Sequence, residues 1–318
     1  MKRRHACLLG LALVVWAPGE LGAQTAQELA SQCETAGGDA SQCARSAGAA
    51  RDLVGYIGLL AGPGAALSGQ SSTLGMRLGG TPRFAVSIRA SGVSVVVPDL
   101  SDGMGVAERS DFVPAAEATL ALGVFEGFGV LPTVGGILSL DLVGSGSFLV
   151  FPDVGFDGRL TVVSVGARVG VLRESFTLPA VTVSVMQRFA GELTLESTQG
   201  TAFSWLGVDP SAMTSLRATV GKDLFAFGIM AGVGWDDFSS LATVRTLTTL
   251  GTPLIATGSV DASRRTYFGG LSKQLGVLSW FSAELGWVQG FDPVTGGGAA
   301  SPDTGRTWYG SVALVLKL

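Results

Sequence analysis

The chain has 318 residues, of which 47 are glycine, 47% are hydrophobic and only 14% are charged, and its formal net charge is −4. Soluble domains carry about 25% charged residues and disordered chains are much less apolar, so this composition excludes both a disordered protein and a typical soluble enzyme. The mean hydropathy of +0.44 favours a membrane protein, yet beyond the N-terminus no uninterrupted run of about 18 apolar residues predicts a membrane-spanning helix.

The first predicted element is a secretory signal peptide over residues 1–23. A basic start at positions 2–4, a short apolar stretch and a small-residue exit precede the predicted cleavage site. Cleavage changes the formal net charge from −4 to −6, because three basic residues and Glu20 leave with the peptide. It also removes His5, the only histidine of the chain.

An acidic mature chain without histidine excludes several classes of function. No basic stretch can neutralise a row of phosphates, so we expect no nucleic-acid partner. Neither a Ser-His-Asp triad nor an HExxH zinc site can be built without histidine. A pair of carboxylates remains as an acid–base option, and no pair stands out by its spacing. We therefore expect no enzymatic activity, no metal and no cofactor.

Residues 24–81 are predicted to form a short helical segment. Thr25–Cys33 and Asp39–Ala50 have helical composition, and apolar residues at helical spacing continue until Pro63 and Gly64 end the pattern. The segment is too short and too rich in glycine to span a bilayer as a helix, so we expect it to pack against another element.

Cys33 and Cys43 are the only cysteines that remain after cleavage. Two cysteines separated by a short segment of an exported protein most often pair, so we predict a disulfide bond between them. The rival interpretation, a redox or metal-binding pair, lacks both the CxxC spacing and a histidine partner.

Beyond the helical segment, hydrophobic residues recur at every second position. In the first such stretch Phe84, Val86 and Ile88 alternate with serine, arginine and alanine, and this period of two is typical of β-strands. A soluble β-sandwich also alternates, but strands of about 10–15 residues with a polar face of Gly, Ser, Thr and scattered Arg favour a membrane barrel. Because lipid cannot satisfy an open sheet edge, the sheet must close.

The predicted fold is therefore all-β: an antiparallel transmembrane β-barrel over residues 82–318, preceded by the short helical segment. We favour about 10–12 strands, with about 14 as the upper limit. Ten strands are expected to start near residues 82, 113, 135, 160, 178, 211, 224, 263, 277 and 306. Residues 71–78 also alternate, and they belong either to a plug or to a further strand paired near 53–61, which would give twelve.

The predicted connections alternate between short and long, which is the pattern of periplasmic turns and outer loops in such barrels. The stretches 191–210 and 236–263 are predicted as hairpins that extend beyond the bilayer. The last segment, Trp308–Leu318, alternates to the final residue and resembles the C-terminal signal of outer-membrane proteins. An aromatic girdle is expected at the outer end from Trp235, Phe238, Trp287, Phe291, Trp308 and Tyr309.

A family resemblance adds a mechanism. The signal peptide, the Ala/Gly/Ser-rich segment and the strand Pro82–Arg89 running to Val97–Leu100 resemble the FadL-type hydrophobic-compound transporters. The resemblance implies that the N-terminal segment, residues 24–81, plugs the lumen. It also implies that hydrophobic substrates cross into the outer leaflet through an opening in the wall.

By strand parity, a set of charged residues is expected to face the lumen. On the lipid face each charge would cost about 2–4 kcal/mol at the bilayer midplane. The candidates for lumen or ligand contacts are Arg89, Asp141, Arg168, Arg188, Arg217 and Glu284, together with Lys317. They either pair with one another and rigidify the lumen, or form a selectivity ring or ligand contact. Phe125 and Met186 are expected as apolar lumen residues that would suit a hydrophobic ligand.

Two acidic pairs, Asp99 with Asp102 and Asp236 with Asp237, are predicted in outer loops, where they form either solvated turns or Ca²⁺ ligands. The leading functional hypothesis is a passive channel or transporter for small molecules, hydrophobic ones included. The alternative is a non-conducting barrel with a structural or adhesive role, which a narrow ten-stranded lumen with a plug would favour.

The expected location is the outer membrane of a Gram-negative bacterium, with the N-terminal segment in the lumen or the periplasm. The expected partners are the lipid bilayer with lipopolysaccharide, the outer-membrane assembly machinery and a small hydrophobic ligand.

Overall fold

The fold is a β-barrel that encloses an N-terminal helical segment. In the computed structural model, the residues described are 25–75, 82–98, 108–129, 136–150, 159–197, 204–225, 227–248, 250–292, 294–296, 299–300 and 306–318. The predicted signal peptide and the acidic pair of Asp99 and Asp102 lie outside the described residues.

Two helices open the described chain, α1 (Ala26–Thr35) and α2 (Ala40–Leu60). Thr25 begins α1 with a capping box: its hydroxyl accepts a hydrogen bond from the backbone N–H of Glu28, whose carboxylate accepts one from the backbone N–H of Thr25. Asp39 is the N-cap of α2, and its carboxylate accepts a hydrogen bond from the backbone N–H of Gln42. The predicted helical stretches are confirmed, and the second one continues without interruption into the apolar stripe.

Cys33 in α1 and Cys43 in α2 form the predicted disulfide bond, with their Cα atoms 5.6 Å apart. The bond joins the last turn of α1 to the first turns of α2, beside Leu254 and Ala256 in a small apolar cluster. Among the described residues, neither helix combines the length and the hydropathy that a membrane-crossing helix requires.

Thirteen strands occur among the described residues. They are β1 (Arg83–Pro98), β2 (Glu108–Phe125), β3 (Ser139–Val150), β4 (Arg159–Leu172), β5 (Ala180–Ala190), β6 (Leu193–Ser197), β7 (Ser204–Leu224), β8 (Phe227–Leu247), β9 (Pro253–Gln274), β10 (Ser279–Val288), β11 (Thr295–Gly296), β12 (Ala299–Ala300) and β13 (Thr307–Lys317). All except β6, β11 and β12 close into one antiparallel barrel in the order β1–β2–β3–β4–β5–β7–β8–β9–β10–β13. The first and last strands pair from Ala85 with Lys317 to Val93 with Tyr309.

The prediction of ten barrel strands is confirmed, although β7 and β9 begin earlier than predicted, at Ser204 and Pro253. The residues that were assigned to long loops there belong to strands. The twelve-strand alternative, with a strand near 53–61, is wrong, because residues 53–60 belong to α2. The unpredicted strand β6 follows β5 after a short break and pairs with the start of β7.

The outer face of the barrel is apolar. Buried and exposed residues alternate along the strands, and the exposed ones are mainly Leu, Val, Ile and Phe. On β1, for example, Ile88 is 64% exposed, whereas Ser87 and Arg89 on either side of it are buried. A soluble protein would have the opposite distribution. The surface is therefore that of a transmembrane barrel, with lipid outside and polar side chains inside.

The two ends of the barrel differ. At one end, here called the short-turn end, the connections are short, as at residues 173–179 and 275–278. At the other, the long-strand end, β7, β8 and β9 project because they reach 21, 21 and 22 residues. The hairpins predicted over 191–210 and 236–263 are confirmed as the strand pairs β6–β7 and β8–β9 at the long-strand end.

The N-terminal segment runs through the lumen from the long-strand end to the short-turn end. Gly38, between α1 and α2, forms a β-bridge with Thr248 at the tip of the β8–β9 hairpin. Gly75, at the other limit of the segment, lies against the guanidinium of Arg173, which follows β4 at the short-turn end. The chain therefore traverses the barrel before β1 begins.

Candidate functional site

The lumen and the segment that fills it form the candidate site. All side chains of α2 from Cys43 to Leu60 are buried. Its glycines permit the close fit, because a Cβ at Gly55 would meet the ring of Phe291 and a Cβ at Gly58 would collide with the ring of Phe238. The half of the lumen nearer the long-strand end is therefore packed by a helix.

Arginines of the wall donate hydrogen bonds to the backbone carbonyl oxygens of the segment. The pairs are Arg264 with Gly55, Arg188 with Gly62 (3.1 Å), Arg89 with Pro63 (2.5 Å) and Ala65 (2.6 Å), and Arg168 with Gln70 (3.3 Å). Hydrogen bonds from a charged donor are stronger than neutral ones, and in a buried site they also satisfy carbonyls that would otherwise lack a partner.

Carboxylates of the wall bind the same segment through its backbone N–H groups. Glu284 accepts from Ala65 at 3.3 Å and from Gly69 at 2.9 Å, while Asp141 accepts from Leu74 at 3.0 Å. Because main-chain groups make these contacts, the wall recognises the path of the segment more than its side chains.

Glycine is required at two points of this path. Gly64 has a φ of +66° and Gly69 a φ of +63°, a region that L side chains rarely adopt. A Cβ at Gly64 would also collide with the carboxylate of Glu284, and a Cβ at Gly69 would collide with Ser282. Both positions therefore require glycine, because the backbone is left-handed there and passes too close to the wall for a side chain.

Ion pairs join the wall strands to one another. The distances between nitrogen and oxygen are 3.2 Å for Arg89–Glu117, 2.8 Å for Arg168–Asp141, 2.7 Å for Arg217–Asp236 and 3.7 Å for Arg188–Asp236. All of these side chains are almost fully buried. A buried pair contributes little net stability by itself, but losing one partner leaves an uncompensated buried charge.

Asp236 is the centre of the most crowded of these clusters. The hydroxyls of Ser215 and Thr266 donate hydrogen bonds to it at 2.5 Å and 3.0 Å, and Arg264 lies directly opposite it across β8 and β9. Among the described residues, Nε and Nη2 of Arg217 have no hydrogen-bond partner. One carboxylate thus balances several guanidinium groups.

A small cavity lies between the segment and the wall in the middle of the lumen. Its volume is about 10 Å³, which is room for about one water molecule. Its lining includes Arg89, Glu117, Arg188 and Arg217.

A wider pocket of about 550 Å³ lies at the short-turn end, lined by residues that include Arg83, Glu174 and Asp223. Glu174 accepts a hydrogen bond from the backbone N–H of Asp223 at 2.7 Å and lies 3.6 Å from the ammonium of Lys222. Partial burial nevertheless raises the pKa of Glu174. The segment contributes Gln70, Ser72, Thr73 and Leu74 to the lining of this pocket.

The structure places every predicted lumen candidate on the inner face. Buried there are Arg89, Asp141, Arg168, Arg188, Arg217 and Glu284, while Lys317 is half-buried with its ammonium 4.3 Å from the ring centroid of Trp280. Arg89, Asp141, Arg168, Arg188 and Glu284 bind the segment, whereas Arg217 pairs with Asp236 of the wall. A role in ligand contact stays a prediction.

Sequence reasoning missed four residues of the same network: Glu117, Asp236, Arg264 and Tyr309, all of which are buried. Glu117 alternates with outward-facing alanines on β2, so the parity rule could have found it. The sequence prediction puts Asp236 in an outer loop, whereas it lies in β8, and it does not single out Arg264 although a strand is predicted to begin at about residue 263.

Of three further expectations about individual side chains, two are wrong and one is right. Phe125 is exposed, not in the lumen, because the β2–β3 register shifts between Gly123 and Phe125 and reverses the parity. Met186 does face the lumen. Asp236 and Asp237 do not form a loop pair, since they are consecutive strand residues and only Asp236 points inward.

The expected aromatic girdle is divided by the same alternation. Trp235 and Trp308 are exposed on the outer face, 40% and 56% respectively, whereas Phe238 and Tyr309 are buried inside. Phe291 lies against α2 at Gly55. The outward half of the girdle is confirmed and the inward half packs the lumen.

The chain is similar to several solved outer-membrane barrels. The translocator domain of autotransporter NalP from Neisseria meningitidis shares 11% identity, with 74% of this chain and 88% of that one covered and a TM-score of 0.45. The outer membrane protease OmpT from Escherichia coli shares 10%, with coverage of 74% and 96% and a TM-score of 0.39. The toluene transporter TodX from Pseudomonas putida shares 10%, with coverage of 79% and 95% and a TM-score of 0.34.

These likenesses are too distant to carry an argument about function. No protein-family model and no curated protein matches the chain. The closed antiparallel barrel, its apolar outer face and its polar, charged interior stand on their own. They make the chain an outer-membrane β-barrel protein.

Proposed function

We propose that the protein is a closed, non-conducting outer-membrane barrel with a structural or adhesive role at the cell surface. The observation that carries the proposal is the filled lumen, in which residues 40–75 leave a mid-barrel cavity of about 10 Å³. A passive pore needs a continuous water path, and a mid-barrel cavity with room for about one water molecule is too small to be part of one.

The strength of the attachment supports a permanently closed state. The segment is held by buried charge-assisted hydrogen bonds along its length and by an apolar cluster that joins α2 to the wall. Withdrawal would expose the guanidinium and carboxylate groups that now bind its backbone. Each such bond is worth about 1.5–3 kcal/mol, so release of several together is unfavourable.

A role at the surface follows from the orientation that we propose. Short turns lie on the periplasmic side of bacterial barrels, so the long-strand end faces outward. That end carries α1, the Cys33–Cys43 disulfide and the projecting strands β7, β8 and β9. In this orientation α1 and the projecting strands lie outside the cell, where they can contact external partners.

We assign no catalytic role to the lumen carboxylates. Asp141, Asp236 and Glu284 are each engaged by arginine or by backbone N–H groups. An acid–base residue needs a position next to a substrate, which a filled lumen does not offer.

A second candidate is a channel that opens when the segment moves. It is favoured by the polar contacts that hold residues 61–75 to the wall. Water can replace hydrogen bonds to the backbone more readily than it can replace apolar packing. The wall thereby exposed would be rich in Arg, Glu and Ser. This lining suits small polar solutes better than the hydrophobic ones that the FadL-type resemblance implies.

A disulfide lock separates the two candidates in the full chain. The hydroxyl oxygens of Thr73 and Ser139 are 2.5 Å apart, so the double substitution Thr73→Cys and Ser139→Cys brings two sulfurs near the S–S bond length of about 2.05 Å and fixes the segment to β3. The wild type and the locked variant are then compared by single-channel recording in planar bilayers.

A closed barrel predicts no conductance steps from either protein, with or without reductant. Steps from the wild type that vanish on locking and return on reduction would establish the gated channel instead. Conductance in both oxidised proteins would show that solutes pass around the segment, which contradicts the closed lumen.

A further inference from the structure

An aromatic row crosses three neighbouring strands on the outer face near the long-strand end. In the β-sheet register, Trp287 of β10 lies opposite Tyr267 of β9 on one side and opposite Trp308 of β13 on the other. The rings of Tyr267 and Trp287 are stacked, with centroids 4.3 Å apart. Such amphipathic rings mark the boundary between hydrocarbon and headgroups.

A second row, directly beyond the first, carries the basic charge. The backbone N–H of Gln289 donates to the carbonyl of Arg265 at 2.9 Å. Thr307 pairs with Val288, so Arg306 follows as the neighbour of Gln289 on the other side. All three side chains are exposed. Strands are about 4.8 Å apart, so the two arginines are separated by about 10 Å at their Cα atoms.

The arginines of this row are available to a ligand. The guanidinium of Arg306 lies 5.1 Å from the ring centroid of Trp287, which orients it over the aromatic row. In the described part of the chain no ion pair involves Arg265 or Arg306. On the neighbouring strand β8, the acidic side chain of Asp237 is opposite Ser263 and therefore one row further from the membrane.

The composition of the outer face indicates where the two rows lie relative to the membrane boundary. On the membrane side of the aromatic row the exposed residues are aliphatic, among them Leu271, Leu285, Val312 and Leu314. On the other side most outward residues of β8 and β9 are polar, among them Asp237, Thr243, Thr257 and Ser263, although Leu241 and Ile255 are also exposed there. The arginine row thus lies where lipid phosphates lie.

We propose that Arg265, Gln289 and Arg306 bind the phosphate of a phosphorylated glycolipid of the outer leaflet, the chemical class of lipopolysaccharide. The guanidinium fork matches phosphate oxygens in two-point contacts, and the Gln289 amide adds a donor between the two arginines. The aromatic row packs against the sugar and the start of the acyl chains. This site rests on the orientation proposed above and is independent of whether the lumen conducts.

The test uses the full chain, purified in detergent and mixed with purified lipopolysaccharide. Native mass spectrometry then counts the lipid that stays bound. The double variant Arg265→Gln and Arg306→Gln removes both charges from exposed positions, where folding is not at stake. The matched control is Arg159→Gln, because Arg159 is an exposed arginine at the same end of the barrel, on β4, opposite Val150 and outside the aromatic row.

We expect the double variant to bind lipopolysaccharide at least fivefold more weakly than the wild type, and the Arg159 variant to bind like the wild type. Enzymatic removal of the lipid phosphates should reduce binding to the wild type by a similar factor. Arg306→Lys should retain part of the affinity, since it keeps the charge but loses the fork.

Equal binding by wild type and double variant would overturn the proposal. So would displacement by phosphatidylglycerol as effective as by lipopolysaccharide, because that result would show a site for inner-leaflet phospholipid and an inverted orientation. Inorganic phosphate at the same concentration should not compete. Failure of this site leaves the conductance result unchanged, so the two proposals fail separately.

Discussion

Asp141 and Arg168 face each other across β3 and β4, with Nη2 of the arginine 2.8 Å from Oδ2 of the aspartate. The same two side chains hold the last part of the lumen segment. Asp141 accepts from the backbone N–H of Leu74 at 3.0 Å, and Arg168 donates to the carbonyl of Gln70 at 3.3 Å. Wall pairing and segment binding are therefore one network, in which loosening one part loosens the other.

The first prediction concerns this network. Asp141→Asn should loosen the end of the segment, because it removes the negative charge that strengthens the hydrogen bond from Leu74 and leaves Arg168 buried without its carboxylate, a change that costs about 3–5 kcal/mol. A cysteine introduced by Ser72→Cys reports the release through its reaction with a water-soluble maleimide. We expect labelling at least tenfold faster in the Asp141→Asn background.

Cys33 and Cys43 do not react in this assay, because they are joined in the disulfide bond. The matched control is Asp223→Asn, which neutralises an exposed carboxylate at the same end of the barrel. Equal labelling rates with and without Asp141 would show that the segment is held elsewhere.

The second prediction concerns the charge balance around Asp236. Asp236→Asn should destabilise the barrel by about 3–5 kcal/mol, because it leaves Arg188 and Arg217 buried without a counter-charge. Arg217→Gln should cost less, since Asp236 keeps Arg188 and the hydroxyls of Ser215 and Thr266. Thermal unfolding in detergent, followed by tryptophan fluorescence, measures both variants. A larger loss for Arg217→Gln would contradict the view that this cluster has excess positive charge.

The third prediction concerns the disulfide bond. Replacing Cys33 and Cys43 by serine should loosen α1, since closing a loop of about 10 residues contributes about 2–3 kcal/mol in the chain-entropy model. Hydrogen–deuterium exchange should become faster in residues 26–38 and stay unchanged in residues 61–75, which the wall holds. Reduction of the wild type is the matching control. Equal acceleration in both stretches would mean that the bond secures the whole segment.

The fourth prediction is a pH dependence at the start of α2. The Ser41 hydroxyl donates to Asp39 at 2.5 Å and the Gln42 N–H donates at 3.0 Å, and these bonds hold the pKa of Asp39 below its usual value. A lowered pKa stabilises the folded state above the unfolded pKa of about 3.9, and this contribution disappears as the pH falls through the folded value.

Protection of the Gln42 amide against exchange should therefore decline in acid in the wild type. Asp39→Asn keeps a side-chain acceptor without a titrating group, so the ratio of wild-type to variant protection should fall below about pH 4. A ratio that does not change with pH would exclude a charged cap.

Several features of the site could be predicted because they depend on local pattern. Successive side chains of a strand point to opposite faces, so parity alone placed Arg89, Arg168 and Arg188 inside. The same rule failed at Phe125, where a register shift in the β2–β3 pair changes which face each residue occupies. Parity also puts Asp236 on the polar face of its strand, but the adjacent Asp237 led to the interpretation of the two as an acidic loop pair.

The amino-acid sequence by itself determined the closed barrel, its lipid and lumen faces, the two helices and the disulfide bond, since period-two alternation, helical composition and cysteine content are properties of short stretches. Only the tertiary structure decided that the segment fills the lumen and which wall group binds which backbone atom. Arg264 and Gly55 are 209 residues apart in the chain. Their contact depends on the register of every strand pair around the closed barrel, and a pattern within a short stretch of sequence cannot predict the combined effect of these registers.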